Sequence, residues 1–201
     1  SQLETMLGGK MAGFPAPIAC EVSKGWNSYL PIPYAKHCKI TSSDGSYYYH
    51  VNYRTYTKGT EVVSFTSDQL DTYASAIDAV AKKLSSPRDG GGPPADRDKK
   101  LYDLSVEPGK TVVVSELTGP RTICGFLANL TAKDSMQALR HVLVRMAFDG
   151  RQTVEVPLGD FFGSAPGVNI YDSLPLGMTK DGDMWSHWYM PFAKTAKIEF
   201  V

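Results

Sequence analysis

Apolar and polar residues alternate with a period of two over 47–57 and over 140–148, a pattern typical of β-strands with one buried face. In the first part of the chain, further short strands are predicted at residues 26–30, 36–41 and 61–65. In the second half, strands are predicted at residues 101–106, 111–116, 122–128, 141–148 and 153–157. Turn residues such as Asp44-Gly45, Pro108-Gly109 and Asp149-Gly150 separate these segments. A spacing of about ten residues is typical of an antiparallel sandwich or barrel.

The period changes between residues 68 and 85, where apolar side chains recur at helical spacing. Ser67 suits an N-cap and Pro87 follows the end of the pattern, so we predict one helix over 68–85. Residues 86–100, which include Gly90-Gly91-Gly92-Pro93-Pro94, have the composition of a flexible linker. The boundary between two structural units is therefore predicted there.

One stretch of the pattern occurs twice. Pro31-Ile-Pro-Tyr-Ala-Lys-His-Cys-Lys-Ile40 returns as Tyr189-Met-Pro-Phe-Ala-Lys-Thr-Ala-Lys-Ile198, at a constant offset of 158 residues (191 − 33). Several identities at one offset favour a duplicated structural unit, although short matches also arise by chance. Because Lys36 recurs as Lys194, a structural role in both units is favoured over catalysis.

From the positions of the two copies, we expect these 201 residues to contain only part of each structural unit. The β-patterned stretch before the second copy would have a counterpart ahead of residue 1, and the strands after the first copy would have one beyond residue 201. We therefore expect residues 1–85 to form the C-terminal half of a first jelly roll with its helix. Residues 101–201 are expected to form the N-terminal part of a second one. Half-units leave open strand edges, so a partner that covers them is expected.

Composition mainly excludes classes of partner. Lysine plus arginine and aspartate plus glutamate both total 21, so neither a nucleic acid nor an anionic membrane is predicted as a partner. The three cysteines, Cys20, Cys38 and Cys124, lack CxxC spacing, which leaves free buried thiols or one disulfide plus a spare. The four histidines show no metal-ligand spacing, and no nucleotide-binding motif occurs, so neither a metal nor a cofactor is predicted.

The first candidate site is the segment Val156-Pro-Leu-Gly-Asp-Phe-Phe-Gly163, where a predicted strand ends in a carboxylate flanked by aromatic residues. Asp160 would suit an acid/base group or an acceptor for a sugar hydroxyl, with Phe161 beside it. The more common role of an aspartate next to glycine is to bind backbone N–H groups of its own loop. We favour that second interpretation and keep both residues as candidates for substrate binding.

The second candidate site is Met184-Trp-Ser-His-Trp-Tyr189. Strand alternation would place Trp185, His187 and Tyr189 on one face, and Ser186 and Trp188 on the other. Aromatic rings with a histidine suit stacking on a carbohydrate, and they suit the core of a sandwich equally well.

Four sequence elements together resemble a known family: Pro31-Ile-Pro-Tyr-Ala-Lys36, Tyr48-Tyr-His-Val-Asn-Tyr-Arg-Thr-Tyr56, Phe148-Asp-Gly150 with Val154-Glu-Val-Pro-Leu-Gly-Asp-Phe-Phe-Gly163, and Met190-Pro-Phe-Ala-Lys194. The family was first catalogued as domain of unknown function 2961 and is now represented by glycoside hydrolase family 172. The resemblance implies two consecutive jelly rolls per chain and association into trimers or larger oligomers. It also implies hydrolysis of fructofuranosyl or arabinofuranosyl linkages with retention, which uses two carboxylates about 5 Å apart.

The sequence departs from that family at the catalytic residues. The family's catalytic glutamates lie in a Gly-Thr-Glu-Asp-Tyr-type motif and just beyond it, downstream of the Met-Pro-Phe element, and this sequence has no such motif. No catalytic residue is therefore assigned. We predict a fragment of a furanoside-acting glycoside hydrolase, with a non-enzymatic jelly-roll assembly or carbohydrate-binding subunit as the alternative. The predicted partners are a carbohydrate, further copies of the chain, and a second polypeptide that completes the jelly rolls.

Overall fold

The protein is described by a computed structural model that covers residues 2–42, 45–92 and 97–201. The described residues are mainly β, and the sheets are antiparallel. Contacts divide the chain into two compact units, Ser1–Ala81 and Lys82–Val201. The predicted class, mainly β with antiparallel sandwich units and a connecting helix, is confirmed.

The first unit begins with helix α1 (Gln2–Leu7) and a hairpin of strands β1 (Ala19–Val22) and β2 (Gly25–Ser28). Ser23 and Lys24 form the turn of this hairpin and both have positive φ. That conformation matches the right-handed twist of the two strands. Strand β2 confirms the strand predicted at 26–30.

The other strands predicted in the first unit are wrong. Residues 36–41, 47–57 and 61–65 belong to no strand in the described part of the chain. Alternation sorts side chains into two faces, but a strand also requires a neighbouring chain to bond its backbone groups. The sequence also predicts a turn at 42–46 with Asp44-Gly45 at its centre, and its residues Ser43 and Asp44 lie outside the described residues.

The predicted helix over 68–85 is divided into two helices, α2 (Asp68–Thr72) and α3 (Ala74–Ser85). Tyr73 separates them with φ −103° and ψ 12°, although its N–H still donates to the Gln69 carbonyl at 2.9 Å. Ser67 occupies the N-cap position without a side-chain cap bond. The predicted linker at 86–100 contains a further short helix, α4 (Pro87–Gly90), with proline at its first position.

Among its described residues, the second unit contains ten strands and, beyond α4, two further helices. In chain order they are β3 (Val112–Thr118), β4 (Arg121–Ile123), β5 (Phe126–Asn129), α5 (Ser135–His141), β6 (Leu143–Phe148), β7 (Arg151–Pro157), α6 (Leu158–Phe161), β8 (Tyr171–Asp172), β9 (Leu176–Met178), β10 (Asp183–Ser186), β11 (Met190–Phe192) and β12 (Thr195–Phe200). One sheet has the order β3-β12-β6-β7 and the other has the order β5-β10-β9-β8. Strand β4 pairs separately with β11.

The core of the second unit contains apolar side chains from both four-stranded sheets. Strands β3, β6 and β12 contribute to it from one sheet, and β9 and β10 from the other, with helices α5 and α6 at the side. The buried members are Val114, Leu139, Val144, Met146, Leu158, Phe162, Met178, Met184 and Ile198. This two-layer arrangement explains the period-two pattern of the strands, because one face of each contributes to the shared core.

Most strands predicted in the second unit are confirmed, with three differences. The predicted strand at 122–128 is divided into β4 and β5, and residues 101–106 form no strand. Helix α5 was not predicted, although Asp134 accepts a hydrogen bond of 3.0 Å from the N–H of Gln137, as an N-cap does. The division into half jelly rolls at 1–85 and 101–201 stays a prediction.

Candidate functional site

Trp185 of the second candidate segment lies in the core of the second unit. It belongs to β10, is 1% exposed, and its Nε1 donates to the Ser173 carbonyl at 3.1 Å. The indole lies directly over Gly177 of the neighbouring strand, where a Cβ atom would overlap the ring. Trp185 therefore holds the loop before β9, and in this structure its ring faces are not available for stacking on a sugar.

His187, two positions after Trp185, holds the same loop. The alternation predicted over 184–189 is wrong beyond Ser186, because β10 ends there. The half-buried imidazole places Nδ1 2.9 Å from the Leu174 carbonyl, and the His187 N–H donates to the Pro175 carbonyl at 2.8 Å. Because a carbonyl only accepts, Nδ1 carries the proton and Nε2 is left as an acceptor in the neutral ring.

Trp188 is the aromatic residue of this segment that faces outward together with Tyr189. The two side chains are 50% and 73% exposed. Stacking on a sugar requires an accessible aromatic ring, and half of the Trp188 side chain is accessible. Trp188 directly follows His187 and lies three positions after Trp185, the two residues that anchor the 173–175 loop.

Asp160 and Phe161 lie on α6, between β7 and the long loop before β8. The exposed Asp160 carboxylate accepts from Nη1 of Arg140 on α5, at 2.9 Å and 3.2 Å. The favoured interpretation, that this side chain binds backbone N–H groups of its own loop, is wrong. Phe161 is half-buried and packs edge-on against Phe162, with ring centroids 5.1 Å apart. The five predicted residues thus form two groups, one on α6 and one at the end of β10, and their part in substrate binding stays a prediction.

A shallow depression of about 320 Å³ has Trp185, Tyr171, Asp172 and Lys180 among its lining residues. Burial raises the pKa of Tyr171, and its hydroxyl donates to the Phe162 carbonyl. The exposed Asp172 and Lys180 provide an acceptor and a donor at this depression. Such a surface suits a polar ligand with an apolar face.

Asp149 has a role that the sequence analysis missed. It lies in the turn between β6 and β7 with φ +53°, and its carboxylate accepts backbone N–H groups of Ala193 (3.0 Å), Lys194 (2.6 Å) and Thr195 (3.0 Å). These bonds hold the pKa of Asp149 below its ordinary value, and the bond from Ala193 has the largest effect. Two motifs that were recognised separately, Phe148-Asp-Gly150 and Met190-Pro-Phe-Ala-Lys194, are thus in direct contact.

Asp183 at the start of β10 is also bound on both oxygens. Asn129 Nδ2 donates to Oδ1 at 2.8 Å and Arg88 Nη1 donates to Oδ2 at 2.9 Å. The hydrogen bond from Asn129, followed by that from Arg88, lowers the pKa of Asp183. The partner Arg88 lies 95 residues away along the chain, and sequence spacing alone offers no signal for it.

In the first unit, an apolar groove of about 470 Å³ lies between the first copy of the repeat and the helices α2 and α3. The repeat contributes Pro31 and Pro33 to its lining, and the helices contribute Leu70, Tyr73 and Ile77. The groove also contains the carboxylate residue Glu61. Its lining is suited to apolar side chains more than to a charged ligand.

The described residues contain no group of three or more histidine, cysteine, aspartate or glutamate side chains placed to hold a metal ion. All three cysteines are free, Cys38 exposed and the other two half-buried. The expectation of free thiols is therefore confirmed, whereas their full burial and the alternative of one disulfide plus a spare are wrong. Over the ranges that the structure describes, none of the helices is both long and apolar enough to cross a bilayer.

Two protein-family models match the sequence, each within one compact unit. The model described as "GH172 first beta-sandwich domain" matches residues 1–73. The model described as "GH172 domain-like" matches residues 96–201. No curated protein matches the chain.

Proposed function

Because this chain belongs to the GH172 domain family, we propose that it is part of a glycoside hydrolase that cleaves furanosides. The substrate class is a fructofuranosyl or arabinofuranosyl linkage. The observation that supports this most directly is the order of the two family matches. The first-domain match at 1–73 precedes the domain-like match at 96–201, and each lies within one of the two compact units.

The proposed mechanism is hydrolysis with retention, in which a nucleophilic carboxylate and an acid/base carboxylate flank the bond. The acid of such a pair needs a raised pKa. In the second unit, hydrogen bonds shift three carboxylates in the opposite direction. The pKa is lowered for Asp149 by backbone N–H groups, for Asp183 by Asn129 and for Glu155 by Arg145. Because the sequence has no Gly-Thr-Glu-Asp-Tyr-type motif, we place the catalytic pair outside these 201 residues.

The contribution of this chain to the site is then support and contact with the sugar. Trp188 provides an exposed ring for stacking, and Trp185 and His187 position it by anchoring residues 173–175. Asp160 and Phe161 are proposed as further contacts from α6. The proposed assembly is a trimer or a multiple of one, with a carbohydrate as ligand.

The experiment compares the product of the complete reading frame with the 201-residue chain on aryl fructofuranosides and arabinofuranosides. Matched aryl pyranosides are the control substrates, and proton NMR of the first product reports the anomer. We expect cleavage of a furanoside with retention by the complete product, and none by the shorter chain. Turnover at an enzyme-like rate by the shorter chain would contradict the proposed location of the catalytic pair. Inversion, or a preference for pyranosides, would contradict the mechanism or the substrate class.

The second candidate function is a carbohydrate-binding or structural jelly-roll subunit without catalysis. The observation in its favour is that Asp149 and Asp183 are both engaged in bonds that hold parts of the fold together. If the complete product binds the furanoside and never cleaves it, this function replaces the first. Electron microscopy that shows closed or extended assemblies would support the same conclusion.

A further inference from the structure

Part of the segment that the sequence predicts as a linker is fixed to the second unit. This part, the strap, is residues 87–91, which comprise helix α4 and its C-cap Gly91. Arg88 Nη1 donates to Oδ2 of Asp183 at 2.9 Å, and Asn129 Nδ2 donates to Oδ1 of the same carboxylate at 2.8 Å. The strap is therefore tied to the start of β10 by an ion pair between residues 95 positions apart.

The other end of the strap packs on the loop before β9. A Cβ atom at Gly91 would lie 2.6 Å from the Leu174 carbonyl oxygen and 3.0 Å from Nδ1 of His187. Those two atoms are the acceptor and the donor of one hydrogen bond, 2.9 Å long. Gly91 has φ −91° and ψ −11°, which other residues adopt without strain. The close approach, and not the backbone conformation, therefore requires glycine at this position.

The loop 173–175 is thus held by two parts of the chain. The strap contacts it through Gly91, and Trp185 and His187 donate hydrogen bonds to its carbonyl groups. Trp188 follows His187 directly, and its half-exposed side chain is not part of the buried core of the unit. The direction of the Trp188 ring therefore depends on where the backbone of His187 is held.

We propose that the strap regulates the sugar contact at Trp188 by holding His187 in one position, an inference that rests on the proposed function. Arg88 and Gly91 are positioning residues that act through His187 and do not touch the sugar. While the strap is bound, the ring of Trp188 is presented in one orientation. When Arg88 releases Asp183, the ring takes several orientations, and the apparent affinity for the sugar falls with the fraction that remains competent.

A strap that only stabilised the fold would behave differently. The side chains of the Arg88–Asp183 pair are 41% and 37% exposed, and ion pairs as exposed as this contribute little to unfolding stability. Loss of Arg88 should therefore weaken sugar binding while the melting temperature changes little. A purely structural strap would give the opposite result, a lower melting temperature with unchanged affinity of the folded protein.

The first measurement needs no sugar, so its result does not depend on the proposed function. Hydrogen exchange of the product of the complete reading frame is followed at the amides of Ser173 and His187, which are both hydrogen-bonded. Gly91→Ala should speed exchange at both by about tenfold, because the added methyl group displaces the loop. Gly92→Ala is the matched control and should leave exchange unchanged, since its added carbon stays at least 3.5 Å from its neighbours.

The second measurement compares KM and kcat for aryl arabinofuranosides. Arg88→Ala and Gly91→Ala should each raise KM by about fivefold and leave kcat within about twofold, and Arg88→Lys should restore most of the affinity because it keeps the charge. In a double-mutant cycle, Gly91→Ala should add nothing to the effect of Trp188→Ala, because both changes act on the same ring.

The results that would overturn the proposal can be distinguished from failure of the proposed function. Equal exchange in Gly91→Ala and Gly92→Ala would show that the strap does not hold the loop. Faster exchange with unchanged KM, or effects of Gly91→Ala and Trp188→Ala that add, would show that the strap does not act through Trp188. A wild type that neither binds nor cleaves furanosides would contradict the proposed function and the regulation with it, although the difference in exchange would persist.

Discussion

The backbone N–H of Lys194 donates a 2.6 Å hydrogen bond to the carboxylate of Asp149. The two residues are 45 positions apart, and the bond ties the β6–β7 turn to the segment that leads into β12. The N–H groups of Ala193 and Thr195 donate to the same carboxylate, so three bonds converge on one side chain. A charged acceptor makes each of these bonds stronger than a bond between neutral groups.

We expect Asp149→Asn to destabilise the protein at neutral pH and to reduce its acid sensitivity. Asparagine tolerates the positive φ of this turn, so the change removes the charge and leaves the backbone conformation. The pKa of Asp149 is lowered in the folded state, so its stabilisation is present above the unfolded pKa of about 4 and is lost as pH falls through the folded pKa. The unfolding free energy of the wild type should therefore fall more steeply below about pH 4 than that of the variant.

Chemical denaturation at a series of pH values measures this difference. Asp103→Asn, a change of the same chemistry at an exposed residue, is the control and should follow the wild-type curve. If the unfolding free energies of the wild type and Asp149→Asn change with pH in the same way, the strength of the three backbone bonds does not depend on the charge.

Gly177→Ala should destabilise the second unit by about 1–3 kcal/mol, because the new methyl group overlaps the fully buried indole of Trp185. The ring cannot move freely, since its Nε1 is bonded to Ser173. The control is Gly92→Ala in the same unit, where the nearest atoms to the added carbon are 3.5 Å away or more. Equal unfolding midpoints for the two variants would contradict the packing of Trp185 on Gly177.

Ser186→Ala should leave the protein equally stable, or stabilise it by about 1 kcal/mol. The Ser186 hydroxyl is fully buried and has no hydrogen-bond partner among the residues that the structure describes, so its loss removes a desolvation cost. Ser173→Ala is the matched variant, because its hydroxyl donates to the Leu176 carbonyl at 2.6 Å and should cost about 1 kcal/mol when removed. Thermal and urea unfolding distinguish the two. A clear loss of stability in Ser186→Ala would indicate a partner for this hydroxyl.

Trp188→Ala in the product of the complete reading frame should raise KM for aryl arabinofuranosides by about tenfold and leave the melting temperature unchanged. We expect a change in KM without a change in melting temperature because the exposed ring can stack on a sugar and contributes little to the core. Trp26→Ala is the control, because Trp26 is 49% exposed and Trp188 50%. If both variants bind substrate like the wild type, Trp188 is not a sugar contact.

The features that could be predicted from the sequence are those that depend on the order of neighbouring residues along the chain. The β6–β7 hairpin followed from alternation on both sides of Asp149-Gly150, a dipeptide that favours tight turns. The family followed from short motifs, and the duplication was proposed from a constant offset between them. The helical period at 68–85 was also correct, although Tyr73 divides the segment in a way that the period does not reveal.

Tertiary structure decided which of these side chains are available for chemistry. Trp185 and Trp188 are three residues apart in an aromatic segment, yet one is buried over Gly177 and the other is half exposed. Asp149 and Asp183 look like turn residues in the sequence, and each is bound by groups at least 44 positions away. Alternation at 47–57 suggested a strand that is not formed, since a ladder also needs a neighbour. Periodicity and turn chemistry are properties of adjacent residues, whereas burial, ion pairing and strand pairing depend on residues that only the folded chain brings together.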